Sequence, residues 1–227
     1  MRSGWVWRIA LTVPMAAIAC GTSTGVAANG PAVTPAIALP PVWTPTPALA
    51  ISLPAGWKPL YGSGVEMWLP ESFEGGDPTT RRDELIEIFR GLGAGYEHVV
   101  ALLEAGAPSS VFMAFDTGEA GGMVGVTRRD LPQSVTLSEY LEAYVAEIPN
   151  AVPGLVVLEH GTMSINGEEI GKVTEDITTQ GETATQVSYI LHRGDFVYTV
   201  SYAVPREFFA EAEPAFEASI GSFRVTQ

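Results

Sequence analysis

Phe115-Asp116-Thr117-Gly118 is the stretch whose residue types come nearest to chemistry. An aspartate after an apolar run, followed by Thr and Gly, puts a carboxylate in a tight loop. Two such carboxylates held together cannot both ionise, so they share a proton and can act as general acid and base. The chain has one Asp-Thr-Gly, so that chemistry requires a homodimer. The plainer reading is a strand running into a loop in which Asp116 bonds to its own backbone. His98, His160 and His192 are isolated, without His-x-His or His-Glu-x-x-His spacing, and Leu102 stands four residues after His98. Zinc normally takes several N or S ligands, so no metal site is expected. Glu168-Glu169, Glu175-Asp176 and Glu207/Glu211/Glu213/Glu217 read as solvated faces, none with the spacing of a calcium loop. Gly121-Gly122 lacks the lysine that follows in a phosphate-cradling loop. No catalytic set and no cofactor are predicted.

Cys20 is the single cysteine and cannot form an internal disulfide; its surroundings explain it better than redox chemistry. Arg2 and Arg8 give a basic start, Ile9 to Ala19 a short apolar stretch, and Ala17-Ile18-Ala19-Cys20-Gly21 ends it with small residues. This resembles the lipobox of bacterial lipoproteins, in which the peptide is cut before the cysteine and that cysteine carries the lipid. Ala17 stands where leucine is more usual. An ordinary secretory signal and an uncleaved anchor are the alternatives, although the apolar run is short for a bilayer core of about 30 Å. Residues 1–19 then form a signal peptide. Residues 20–50 form a lipidated cysteine and a Pro/Ala/Thr-rich tether, too poor in buriable surface to offset its ordering entropy. Residues 51–227 form one domain, held at a bacterial cell surface or in a periplasm.

Size and charge bound the domain. At 227 residues and 46% apolar content there is material for one sizeable core. A net charge of -14, with Arg81-Arg82 and Arg128-Arg129 as the only adjacent basic pairs, excludes a nucleic-acid partner.

The elements follow from period and punctuation. Trp57, Tyr61 and the alternating Val65 to Leu69 predict a first strand ended by Pro70. A helix capped by Thr80 carries Leu85, Ile86, Phe89 and Leu92, and Gly91, Gly93 and Gly95 break it. A second helix carries Tyr96, Val99, Val100 and Leu103. Val111 to Phe115 and Met123 to Val126 are strands. Thr136 and Glu139 make a capping box for a third helix with Leu137, Tyr140, Leu141, Tyr144, Val145 and Ile148 on one stripe, ended by Pro149 and Pro153-Gly154. Leu155 then opens a series of hairpins turning at Asn166-Gly167, Gln180-Gly181 and Arg193-Gly194. A two-residue loop at Arg193-Gly194 pairs Leu191 with Phe196, Tyr189 with Tyr198 and Val187 with Val200. Ile190 and Val197 fall on the opposite face, so both faces need cover. A last helix starts with Pro214 at its first position, turns Phe216 and Ile220 inward and closes at Gly221, before a short strand at Phe223 and Val225.

The order of these elements is familiar. The strand ending in Pro70, the Leu137-Ser138-Glu139-Tyr140-Leu141 helix, Asn166-Gly167 before a long strand pair, Gly194-Asp195-Phe196-Val197-Tyr198 running into Val200-Ser201-Tyr202, and Ser222-Phe223-Arg224 after the last helix resemble the PsbP-like superfamily. That group includes photosystem II extrinsic proteins and LpqN-type lipoproteins, and the likeness covers Ile51 to Val225. It implies an α+β fold, an antiparallel β-sheet meander covered by helices in an α/β/α sandwich. It also implies a non-enzymatic binding or accessory role with a protein partner, alongside the membrane reached through the N-terminal lipid. Asp116-Thr117-Gly118 resembles the active-site signature of aspartic proteases, which leaves an aspartic-type peptidase as one alternative. A purely structural envelope protein is the other.

Overall fold

A computed structural model describes residues 55–92, 96–106, 109–118, 121–131, 134–179 and 181–226, with the backbone alone for Leu92, His98 and Leu102. Cys20, the 1–19 and 20–50 segments, Gly93, Gly95 and Gln180 lie outside the described residues.

The chain forms an α+β fold of antiparallel strands with helices on both sides. Strands β1 (Trp57–Gly62), β2 (Val65–Pro70), β3 (Phe73–Gly76), β4 (Ser110–Asp116) and β5 (Met123–Asp130) are followed by β6 (Leu155–Ile165), β7 (Glu168–Thr179), β8 (Glu182–Arg193), β9 (Phe196–Pro205) and β10 (Arg224–Val225). The helices are α1 (Arg82–Leu92), α2 (Glu97–Glu104), α3 (Leu137–Ala151) and α4 (Phe209–Ser222). A seven-stranded sheet runs in the order β3-β4-β5-β9-β8-β7-β6, and a second, three-stranded sheet runs β1-β2-β10.

One face of the large sheet carries Val187, Tyr189, Leu191, Val200 and Tyr202, packed against Val65, Met67 and Leu69 of β2 and Phe216 and Ile220 of α4. Tyr202 stacks on Phe216 at 4.7 Å between ring centres, and its hydroxyl donates to Ser219 at 2.9 Å. The other face is covered in two places. Leu85, Phe89 and Val99 of α1 and α2 lie over Met113, Phe115, Met123 and Ala203. Tyr140 and Leu141 of α3 lie over Val173, Ile190 and Val197. The expected burial of Ile190 and Val197 therefore holds, and it is α3 that seals them.

Several local expectations are met. Asn166 and Gly167 have φ of 55° and 81°, the two positive values of a type I′ turn, with Ile165 facing Glu168. The Thr136–Glu139 capping box forms with both reciprocal bonds.

Others are corrected. The first strand is a hairpin, because Ser63-Gly64 turns the chain and Gly62 pairs with Val65; β3, unforeseen, then joins the large sheet. Helix α1 begins at Arg82, with the Leu85 N–H bonded to Arg81 O at 2.9 Å, which moves its start one residue past the one Thr80 would cap. Asp77 organises the approach instead, accepting from the Thr79 N–H at 2.8 Å through its carboxylate and from the Arg81 N–H at 3.0 Å through its carbonyl. Gly91 stays inside α1. Pro149 lies within α3, where a proline in the last turn removes one hydrogen bond while the Val152 N–H still reaches Ile148 O at 3.0 Å. Pro214 is inside α4, which begins at Phe209 after a 3-10 turn at Arg206–Phe208 and runs past Gly221 to Ser222.

The last hairpin is offset by two residues. Arg193 pairs with Phe196, Leu191 with Tyr198, Tyr189 with Val200 and Val187 with Tyr202. Gly194, at φ 60°, takes the first loop position, as a II′-like turn favours, so the loop is Gly194-Asp195. A shift of two preserves the period of a strand, and the apolar face is unchanged.

Candidate functional site

Asp116 ends β4 with its carboxylate turned into its own loop, accepting the Gly118 N–H at 2.9 Å. The Thr117 hydroxyl donates to Ser72 O at 2.7 Å, which ties this loop to the start of β3. The triplet thus acts as a loop clamp. The histidines are not brought together: His98 is on α2 with its side chain outside the described residues, His160 on β6 stands 3.7 Å from Glu142 of α3, and His192 is on β8. Among the described residues no three His, Cys, Asp or Glu side chains gather where a metal ion could be held.

The acidic groupings divide. Glu213 and Glu217 both accept from Lys172 Nζ, at 2.8 and 3.3 Å, and Glu168 pairs with Arg193. Glu175-Asp176 is not a solvated face. Both are buried, because β7 is covered on its two sides and alternate residues go to opposite layers. Asp176 accepts from the Thr185 hydroxyl at 2.7 Å and lies 3.2 Å from Arg206.

Glu175, 0% exposed, is the centre of a polar cluster on the face covered by α3. Its Oε1 accepts from the Gln186 amide at 2.9 Å, the Ser188 hydroxyl at 3.2 Å and the Tyr144 phenol of α3 at 3.3 Å. Its Oε2 has no hydrogen-bond partner among the described residues. Burial raises the carboxyl above the ordinary carboxylate range, opposed by the bonds from Gln186, Ser188 and Tyr144. Burial, reinforced by the neighbouring Glu175, also pushes the Tyr144 phenol well up.

Strand pairing extends this cluster across the sheet. Ser188 exchanges a hydrogen bond with Ser201 at 2.9 Å, Ser201 pairs with Gly125, and the next register row carries Thr199 opposite Thr127. Here the cover parts. The cluster beneath α1 and α2 and the cluster beneath α3 share no residue, and Gly125, Thr127 and Ser201 are partly exposed although they belong to central strands. A Cβ placed on Gly125 would meet nothing within 4 Å among the described residues. The result is a row of polar residues on this face, partly exposed at Gly125, Thr127 and Ser201 and buried from Ser188 and Gln186 to Glu175.

Sequence reading placed Tyr144 on a core stripe and Glu175 on a solvated face, and gave no functional role to Gln186, Ser188, Ser201 or Gly125. A signal was present in β8, where Gln186 and Ser188 share a face with the buried Ile190. A strand that changes from polar to apolar along one face marks a change in what covers it.

No family model matches the sequence, and no curated protein does. Among solved structures, the chain is similar to the cyanobacterial PsbP (CyanoP) of Synechocystis, at TM-score 0.53 and 11% identity over 82% of this chain and 99% of that one. LpqN of Mycobacterium tuberculosis, involved in cell envelope biogenesis, gives 0.46 and 11% over 75% and 91%. The Ran-binding protein Mog1p of Saccharomyces cerevisiae gives 0.45 and 11% over 72% and 91%. The fold of this chain is PsbP-like.

Proposed function

We propose that the chain is a non-enzymatic binding module of the cell envelope, tethered through lipid on Cys20 and the 20–50 segment, with its ligand seat at the polar row. The observation that carries the binding reading is the row itself. A purely structural domain gains nothing from burying an amide, several hydroxyls and a carboxyl with one oxygen unpartnered among the described residues, since each buried polar group costs free energy unless it is paired. The peptidase alternative depends on a carboxylate that here serves the backbone of its own loop. Lipidation is supported by Ala17-Ile18-Ala19-Cys20-Gly21, and no helix among the described residues is long and apolar enough to cross a membrane. A protein partner belongs to this proposal, since an accessory module acts through one.

Two assays test it. In fractionated cells Cys20→Ala moves the full chain from the membrane to the soluble fraction, and unchanged detergent partitioning contradicts the tether. Purified chain leaves a peptide library intact across acidic pH. Turnover that disappears in Asp116→Asn would replace the binding reading with the peptidase.

A further inference from the structure

Four strands stand at the edges of the two sheets, and three of them are blunted against further pairing. β3 is four residues long, β10 is two, and β1 carries Pro59, which has no N–H to give. β6, beyond β7 at the end of the large sheet, is different. It runs for eleven residues without proline, lysine or arginine, and Glu159 is its only acid. Among the described residues the backbone of Val156 to Ile165 bonds to β7 alone. The outer side of β6 is therefore a row of unpaired N–H and C=O groups that an extended chain can complete. Val156 and Leu158, 58% and 51% exposed, stand together near its start. Leu158 is the extra residue of a bulge between Val157 and Glu159, a place where a charge would guard the edge and an apolar side chain does not. From Glu159 to Ile165 the ladder is unbroken, which offers about 23 Å of strand.

Charge selects among the strands that could add here. Two cations reach the neighbourhood through β7, and both are engaged: Lys172, opposite Gly161, with Glu213 and Glu217, and Arg206 with Asp176, opposite Val156. Glu142 of α3 lies 3.7 Å from His160, and Glu159 accepts from the Thr174 hydroxyl; among the described residues neither has a lysine or arginine in ion-pair reach. A second copy of the chain would bring the same acids and a net charge of -14 to this edge. We propose that β6 is the docking edge for the protein partner of the binding reading, on which this inference rests, and that it takes an extended segment of that partner. The segment is apolar toward Val156 and Leu158 and basic toward Glu142 and Glu159. Backbone bonds supply its affinity and alternate side chains its selectivity.

The test titrates the isotope-labelled full chain with a short peptide that alternates valine with lysine and threonine, beside a counterpart with glutamate in place of lysine. Backbone amide shifts and amide hydrogen exchange are followed. The expected result is saturable movement and slowed exchange between Glu159 and Ile165 with the lysine peptide, at an affinity on the order of 0.1–1 mM, and a response to the glutamate peptide weaker by about tenfold or more. Val156→Lys and Leu158→Lys, both at exposed positions, should each weaken binding of the lysine peptide by about tenfold with the remaining spectrum in place. No movement in β6 with either peptide overturns the docking edge, and equal responses to both overturn its basic partner. Movement in β6 as the chain's own concentration rises, without peptide, gives the edge to a second copy and overturns the proposal. Movement of Gly125, Thr127 and Ser201 in place of β6 overturns the edge and leaves the binding reading standing, whereas cleavage of the peptide overturns both.

Discussion

Glu175 is where residue-scale chemistry and stability meet. Its folded pKa lies above its unfolded value of about 4.3. The stabilisation it gives is complete below the unfolded value and is lost as pH rises through the folded one. The protein should therefore lose stability relative to Glu175→Gln as pH climbs from about 4 toward neutrality. Thermal midpoints of the two proteins across that range check this, and parallel curves would contradict it. Glu139 has the opposite sign: the Thr136 N–H and hydroxyl bonds hold its carboxyl below the ordinary range, so its contribution is present above the unfolded pKa and fades as pH falls through the folded one. Asp116→Asn keeps an acceptor for the Gly118 N–H and should change stability by less than about 0.5 kcal/mol in urea unfolding, whereas Asp116→Ala should cost about 1 kcal/mol. The Asp116 loop was legible because Asp and Gly fix a turn locally. Glu175 was not, since the pattern of acids along β7 says nothing about which strands and helices lie against it.

At the scale of elements, what is encoded locally was read correctly. The Thr136 capping box needs only residues three apart, and Asn166-Gly167 needs only its own dihedrals. Thr136→Ala should cost about 1 kcal/mol of unfolding free energy, read as a lower urea midpoint at unchanged slope. Prolines misled where tertiary packing outweighs one lost hydrogen bond. Ile148 and Val152 bury against Leu155 and Ile177 and carry α3 past Pro149, while Phe209 packs against the main core and favours an early start to α4 ahead of Pro214. The junction from α3 into β6 depends on Gly154, whose φ is 83° and where a Cβ would lie 2.3 Å from Thr178 O. Gly154→Ala should destabilise by about 1–3 kcal/mol, with thermal unfolding as the check. No comparable local signal marks β3 or the separation of β1-β2-β10 from the large sheet, because both depend on partners distant in sequence: β3 on β4, and β2 on β10.

For the whole molecule, two layers cover one sheet, and partly exposed polar residues of its central strands lie where the cluster beneath α1 and α2 and the cluster beneath α3 stop short of each other. The sequence carried the need for cover on both faces, through Ile190 and Val197 behind an aromatic front. It did not carry the gap, which exists because α1 and α2 sit over one end of β5 and β9 while α3 sits over β6, β7, β8 and the start of β9. The proposed function stands or falls on that gap. The most direct test places the single thiol of the chain there: Gly125→Cys in a Cys20→Ala background, followed by the rate of maleimide labelling under native conditions. The account predicts a rate nearer to that of the exposed Thr162→Cys on β6 than to that of a buried position. A rate as slow as that of the buried neighbour Val126→Cys would contradict it.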